Sequence, residues 1–345
     1  MKTIRVAIIG CGSIAEFRHA PEYAANEQVE IAAFFDHNPE RAERLVDVYG
    51  GRAAPSIASI LADPDIDAVS VCTSNETHEE VTVDALQAGK HVLCEKPIAT
   101  SVEGARAMMK AGRESGRILM VGHNQRFSEA HVVARRLIES GEIGKVLTFQ
   151  TTFGHSGPEH WAFVKSTDSW FFSKERSVLG AAGDLGIHKL DLIRYLLEDE
   201  IADIAAFGGA LHKTDADGEP IAVNDNMVCI VKTEGGVLGT VALSWTYYGE
   251  EDNSTVLYGE KGILKIFANE TFPVQVKRSD GTSREYEIEG IQTNDNQTDS
   301  GVINAFVDCI VEGKKPPVSA RDGLVSLKLI EAMMKAADER RSVRL

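Results

Sequence analysis

Asp184 and His188 stand one helical turn apart in Gly180-Ala181-Ala182-Gly183-Asp184-Leu185-Gly186-Ile187-His188-Lys189-Leu190-Asp191-Leu192. With Asp191 they fall at i, i+4 and i+7, on one face of a helix. A histidine titrates near neutrality, and a carboxylate one turn away can orient it or grip a hydroxyl, so the pair suits proton transfer. The bland alternative is an N-cap Asp184 with a structural His188. Lys96, in Glu95-Lys96-Pro97, is a further reactive group. A residue before proline is held extended and out of the following helix, so its ammonium can be fixed at a strand end. Ten histidines, with His155 and His160 close together, raise the question of a metal. No HExxH or comparable ligand set is present, and no metal is expected.

These groups need a scaffold, and the N-terminus supplies its first part. The apolar run Ile4-Arg5-Val6-Ala7-Ile8-Ile9 opens onto Gly10-Cys11-Gly12-Ser13-Ile14-Ala15. Gly10 permits a tight turn, Gly12 allows close approach of a pyrophosphate, and a helix starting near Ser13 aims its unpaired N–H groups at the phosphates. Ala15 stands where the fingerprint has its third glycine, a position that only needs a small side chain. A second apolar run, Val29 to Phe35, ends in Asp36, 24 residues after Gly12. An acid there accepts hydrogen bonds from a ribose and repels a 2′-phosphate, which favours NAD over NADP. His37 could accept such a phosphate, so NADP stays open; Asp36 could also simply start the Asp36-His37-Asn38-Pro39 turn.

From here the chain alternates short apolar runs with helical segments, the pattern of βαβ units and a doubly wound parallel sheet. Strands are expected at 4–10, 29–36, 68–73, 91–95 and 118–122, with helices near 13–25, 39–48, 77–88 and 101–116. The strand ends then carry Thr73, Asn75 and His78 towards a cofactor, Lys96 into the crevice, and His123-Asn124-Gln125-Arg126-Phe127 to the same edge. His78 reads equally well as a solvated first-turn residue. After helix 128–140 the texture changes. Segments 145–154, 202–212, 227–233, 237–247, 253–259, 262–267, 273–278 and 284–288 read as strands in largely sequential order, with helices near 183–197, 298–313 and 320–340. The division is a Rossmann domain at 1–123 and a C-terminal α+β domain at 124–345, with a large open, mostly antiparallel sheet. A sheet with so few covering helices leaves one face needing protection, and that face is expected to make the oligomer. Phe153 to Phe172, with Trp161, Trp170, Phe171 and Phe172, is a sugar-stacking rim or a packed core.

The balance of 36 basic against 52 acidic residues, net charge −16, argues against nucleic acid or an anionic membrane as partner. Cys11, Cys72, Cys94, Cys229 and Cys309 are odd in number and scattered, which fits reduced thiols in a cytoplasm. No signal-type or membrane-length apolar run is present.

The glycine fingerprint, the Glu95-Lys96-Pro97 motif, the His123 to Phe127 segment and Asp184-Leu185-Gly186-Ile187-His188 together resemble the glucose-fructose oxidoreductase / inositol dehydrogenase (Gfo/Idh/MocA) oxidoreductases over nearly the whole chain. The resemblance implies a nicotinamide-dependent dehydrogenase acting on a cyclic polyol, sugar or sugar derivative, with an open sheet domain that forms a homodimer or homotetramer. It implies Lys96, Asp184 and His188 as the catalytic set, which would also bind the substrate, and a Lys96–Pro97 peptide that is cis, as it often is in that family. Gly10, Gly12, Ser13, Ile14, Asp36, Thr73, Asn75, His78, Glu95 and Lys96 are the candidate cofactor contacts. Asn124, Arg126, Trp161 and Trp245 are further candidate substrate contacts, at positions that vary in the family. The Gly-Ala-Ala-Gly run at 180–183 has fewer glycines than many members. Two other readings compete: an NAD-dependent glycosidase using transient sugar oxidation, and a noncatalytic NAD-binding regulator, which this chain's retention of Lys96 and His188 disfavours.

Overall fold

The computed structural model describes residues 3–162, 165–269, 271–288 and 299–345. They fall into two compact units, one within Met1–Asn124, Trp161–Phe163 and Gln292–Leu327, the other within Gln125–His160, Val164–Ile291 and Lys328–Leu345.

The first unit is a six-stranded parallel sheet in the order β3-β2-β1-β4-β5-β6. Its strands are β1 Ile4–Ile9, β2 Val29–Phe35, β3 Arg52–Ala53, β4 Ala68–Val71, β5 His91–Cys94 and β6 Leu119–Val121. Helices α1 (13–25), α2 (Pro39–Tyr49), α3 (Ile57–Leu61), α4 (His78–Gln87) and α5 (Val102–Ser115) connect them. A parallel sheet covered on both faces needs strands apolar throughout, and β4 is buried at every position. Chain order reverses between β1 and β4, which makes their carboxyl ends the switch point where such sheets take ligands. The short β3, of two residues, and α3, of five, are too short to show a period in the sequence. Residues from far along the chain complete this unit: Glu22 of α1 accepts the Ser300 N–H at 2.8 Å, and the Val121 N–H donates to the Val318 carbonyl at 3.2 Å.

The second unit is a nine-stranded sheet in the order β14-β13-β12-β11-β7-β10-β9-β8-β15. The strands are β7 Val146–Gly154, β8 Ile201–Gly209, β9 Asn226–Thr233, β10 Leu238–Ser244, β11 Thr255–Gly259, β12 Gly262–Ile266, β13 Val274–Arg278, β14 Ser283–Tyr286 and β15 Val343–Arg344. The largely sequential order holds for β14-β13-β12-β11 and for β10-β9-β8, and the exceptions are β7 and the terminal β15. β7 inserts between β11 and β10, pairing parallel with β10 and antiparallel with β11. Sequence carries strand periodicity but not pairing, so the insertion left no trace. Burial alternates strictly along β9, one face packed and the other open, as an antiparallel sheet covered on one side requires. Helices α6 (Glu129–Glu139) and α7 (182–197) belong to this unit. Helices α8 (Val302–Glu312) and α9 (Ala320–Glu339) end the chain, α8 in the first unit and α9 shared by both. Residue 298, where α8 was expected to begin, lies outside the described residues. No described helix is long and apolar enough to cross a membrane.

Candidate active site

At the β1 end, Gly10 has φ +93° and a Cβ there would lie 2.5 Å from the Cys72 carbonyl oxygen of the β4 end. Only glycine fits this crossing. A Cβ on Gly12 would meet nothing within 4 Å, so the loop leaves the open cradle that a pyrophosphate needs. Ala15, in the first turn of α1, is fully buried, as the fingerprint's third position demands. These residues fit a dinucleotide. Ser13 and Ile14 lie half-exposed on the first turn. Asp36 accepts the Cys11 N–H on Oδ2 and the Asn38 N–H on Oδ1, each at 2.8 Å. It therefore forms its own turn and braces the glycine loop, and each oxygen keeps a second lone pair for a ribose hydroxyl.

Around β4 and β5 the expected cofactor contacts divide. Thr73 is half-buried and its hydroxyl accepts from Thr77 at 2.7 Å; Asn75 is buried in the following turn. His78 is not at a surface. Its Nδ1 lies 2.7 Å from the Pro97 carbonyl oxygen and its Nε2 3.0 Å from that of Thr73, and burial pulls its pKa down despite both contacts. It joins the two strand-end loops, leaving neither nitrogen for a ligand. The Lys96–Pro97 peptide is cis. Lys96 is half-buried at the end of β5, while Glu95 beside it is buried.

The Glu95 carboxylate is fully engaged inside the unit. Its Oε1 accepts from Arg18 Nη1 at 3.0 Å and lies 2.9 Å from His19 Nε2, and its Oε2 accepts the Lys96 N–H at 3.1 Å. Burial would raise this carboxyl, but Arg18, His19 and Lys96 outweigh it and hold the pKa at about 2. Glu95 is thus a fixed anion beneath the turn. Arg18 and His19 were missed from sequence because α1 widens at Ala15–His19 into a π-helical turn, with the Ala20 N–H on the Ala15 carbonyl. Pro21 gives the reason: it has no N–H for the Phe17 carbonyl and its ring would strike it.

In the second unit α7 opens with another π-helical turn, Ala182–Gly186, and continues as a regular helix over Ile187–Leu197. A Cβ on Gly186 would lie 2.7 Å from Leu243 Cδ1 and 3.0 Å from Ile330 Cδ1, so glycine lets the helix lie close on β10 and α9. Asp184 Oδ2 accepts from Trp245 Nε1 at 3.1 Å. Trp245, expected at the substrate, is wholly buried and braced by Phe172 at 5.9 Å between ring centroids; it holds Asp184 in place. The His188 ring packs against Phe153 at 5.8 Å. Asp191 does not join this pair. Arg126 donates to it twice, at 2.7 and 2.6 Å, and this fork, rather than a substrate, occupies the Arg126 guanidinium. Asn124 and Trp161 belong to the first unit, both half-buried. Among the described residues no group of three His, Cys, Asp or Glu side chains could hold a metal ion.

Comparison with known proteins places this geometry. Residues 4–123 match the model of the oxidoreductase family with an NAD-binding Rossmann fold, and residues 131–265 match the GFO/IDH/MocA C-terminal domain. The inositol 2-dehydrogenase of Rhizobium meliloti (strain 1021) is 27% identical over 342 residues, 99% of both chains. The 1,5-anhydro-D-fructose reductase of Ensifer adhaerens is 30% identical over 312 residues, 89% of both. The crystal structure of an aldose-aldose oxidoreductase from Caulobacter crescentus, complexed with glycerol, matches with a TM-score of 0.85 at 28% identity, covering 100% of each chain. With its glycine cradle at the β1/β4 switch point and both family models spanning most of its length, the chain belongs to the GFO/IDH/MocA family of NAD-binding oxidoreductases.

Proposed function

We propose that this oxidoreductase is a dehydrogenase that oxidises a ring hydroxyl of a cyclic polyol or sugar, with Lys96, Asp184 and His188 as its catalytic residues. The observation that carries the reading is the built support under Lys96: a buried anion on its own N–H and a buried histidine on the next carbonyl. So much structure behind one lysine fits a side chain that must be aimed. The names of the relatives, an inositol dehydrogenase and an anhydrofructose reductase, support the substrate class.

NAD, held by the glycine loop, Asp36 and the β4 end, supplies the hydride acceptor when bound. Lys96 donates a hydrogen bond at the reacting oxygen and stabilises its developing negative charge. His188 takes the hydroxyl proton, and Asp184, fixed by Trp245, grips a substrate hydroxyl or orients His188. The five buried, unpaired cysteines support a reducing, cytoplasmic setting. Phe207, Val228, Ile230 and Leu238 lie exposed on β8, β9 and β10, between 48% and 73%, which supports assembly through this sheet. Light scattering on Phe207→Glu is expected to show a smaller particle than the parent; an unchanged mass removes the sheet face from the interface.

The test of function is absorbance of NADH formed from NAD and a panel of inositol isomers, aldoses and anhydrosugars, with Lys96→Ala alongside. Turnover on a ring polyol or sugar, reduced about 1,000-fold or more in Lys96→Ala, is expected. Turnover unchanged in that variant would remove Lys96 from the chemistry.

A further inference from the structure

The first unit contains a buried charged network that neither hydride transfer nor cofactor binding calls for. Arg18, His19 and Glu95 are 3%, 0% and 4% exposed. Beyond them His19 Nδ1 lies 3.1 Å from the Ser70 hydroxyl of β4, and Ser70 lies 2.8 Å from the Tyr23 hydroxyl of α1, both buried. If the His19 ring carries its proton on Nε2, Tyr23 donates to Ser70, Ser70 to Nδ1, and Nε2–H to Glu95. Room for the carboxylate is provided by the end of β6, where a Cβ on Gly122 would lie 2.9 Å from Glu95 Oε1.

Burying an ion pair costs in desolvation about what its attraction returns, so such a pair is a poor source of stability. Direction is what it does supply. The two donors stand on the helix that starts at the glycine loop, side by side on one oxygen because the π-helical turn carries them there. The other oxygen holds the backbone of Lys96. We infer that Arg18 and His19 are positioning residues which, through Glu95, lock the Lys96 turn to the cofactor helix and so fix where the Lys96 ammonium points. This rests on Lys96 acting at the reacting oxygen. Displacing a reacting group by about 1 Å costs about 100-fold in rate, so loosening this link reaches the rate without touching any ligand.

The experiment compares Glu95→Gln, His19→Leu and the double variant Arg18→Met/Glu95→Gln, in which no uncompensated charge is left buried. It reads kcat, KM for NAD, NADH affinity by fluorescence titration, and the melting temperature of each. The expected result is a loss in kcat of about 10- to 100-fold, with NADH affinity within about threefold of the parent. Parental kcat in a variant that binds NADH overturns the inference. So does kcat falling only in step with NADH affinity and melting temperature across all three, which would mark a structural role. Lys96→Ala separates the two levels: if it retains activity the functional reading fails, whereas if it loses activity and these variants keep theirs, only the positioning role fails.

Discussion

The two π-helical turns, Ala15–His19 in the first unit and Ala182–Gly186 in the second, use one backbone device for opposite electrostatic ends. The first brings a guanidinium and an imidazole onto a buried carboxylate, and the resulting network is closed: a fixed anion with charged and hydrogen-bonding partners. The second carries an acid that accepts a hydrogen bond from the Trp245 indole N–H, followed by a histidine packed on an aromatic ring. Asp184 and His188 each keep 8% exposure, where His19 keeps none. A carboxylate locked by charge can hold a neighbour in place but cannot exchange a proton at working pH.

Changes on the second unit's side should show the contrast most strongly in stability. Arg126→Ala takes the two-pronged ion pair away from Asp191, which is 2% exposed at its side chain. A loss of about 3 kcal/mol in the denaturant midpoint analysis is expected, with KM nearly unchanged in the surviving folded protein. A large rise in KM with unchanged stability would return Arg126 to the substrate. Trp245→Phe keeps most of the buried ring and deletes the Asp184 hydrogen bond, so about a tenfold fall in kcat is expected, with a loss of about 1 kcal/mol in stability. Steady-state kinetics and thermal melts on the same preparation separate these effects.

The smallest difference expected is one of stability against pH, and it belongs to the closed network. Glu95 has its folded pKa depressed to about 2, below its ordinary 4.5. Its contribution is therefore complete above about pH 4.5 and is lost as pH falls towards 2. Melting temperatures of the parent should drop over that window more steeply than those of Arg18→Met/Glu95→Gln. Parallel curves would mean that the carboxylate is not held as an anion in the way its contacts indicate.

Much of this is legible in the sequence alone. The glycine loop, the β5 turn and the Asp184–His188 segment announce themselves because their residue types are locally costly unless used, and strand and helix periodicity located the elements around them. What was hidden is long-range or depends on backbone width. Trp245 lies 61 residues from Asp184 and Arg126 lies 65 from Asp191, and neither pairing leaves a local mark. Arg18 and His19, two adjacent polar residues in a helix, would turn outward under a 3.6-residue period; only the wider turn takes both inward. Glu95 and His78, read as cofactor contacts because they stand at strand ends, proved to be the supports under that edge. Strand ends collect such supports as well as ligands, since an aimed side chain needs its own backbone held.

The most direct test of the account is a kinetic double-mutant cycle between Lys96→Ala and His188→Asn, measured as kcat/KM on the best substrate of the polyol and sugar panel. Two residues serving one transition state are not independent. The double variant should be little slower than the slower single variant, each single having lost about 100-fold or more while still binding NADH. Losses that multiply in the double variant, or a parental rate in either single, would contradict a shared role for the two residues.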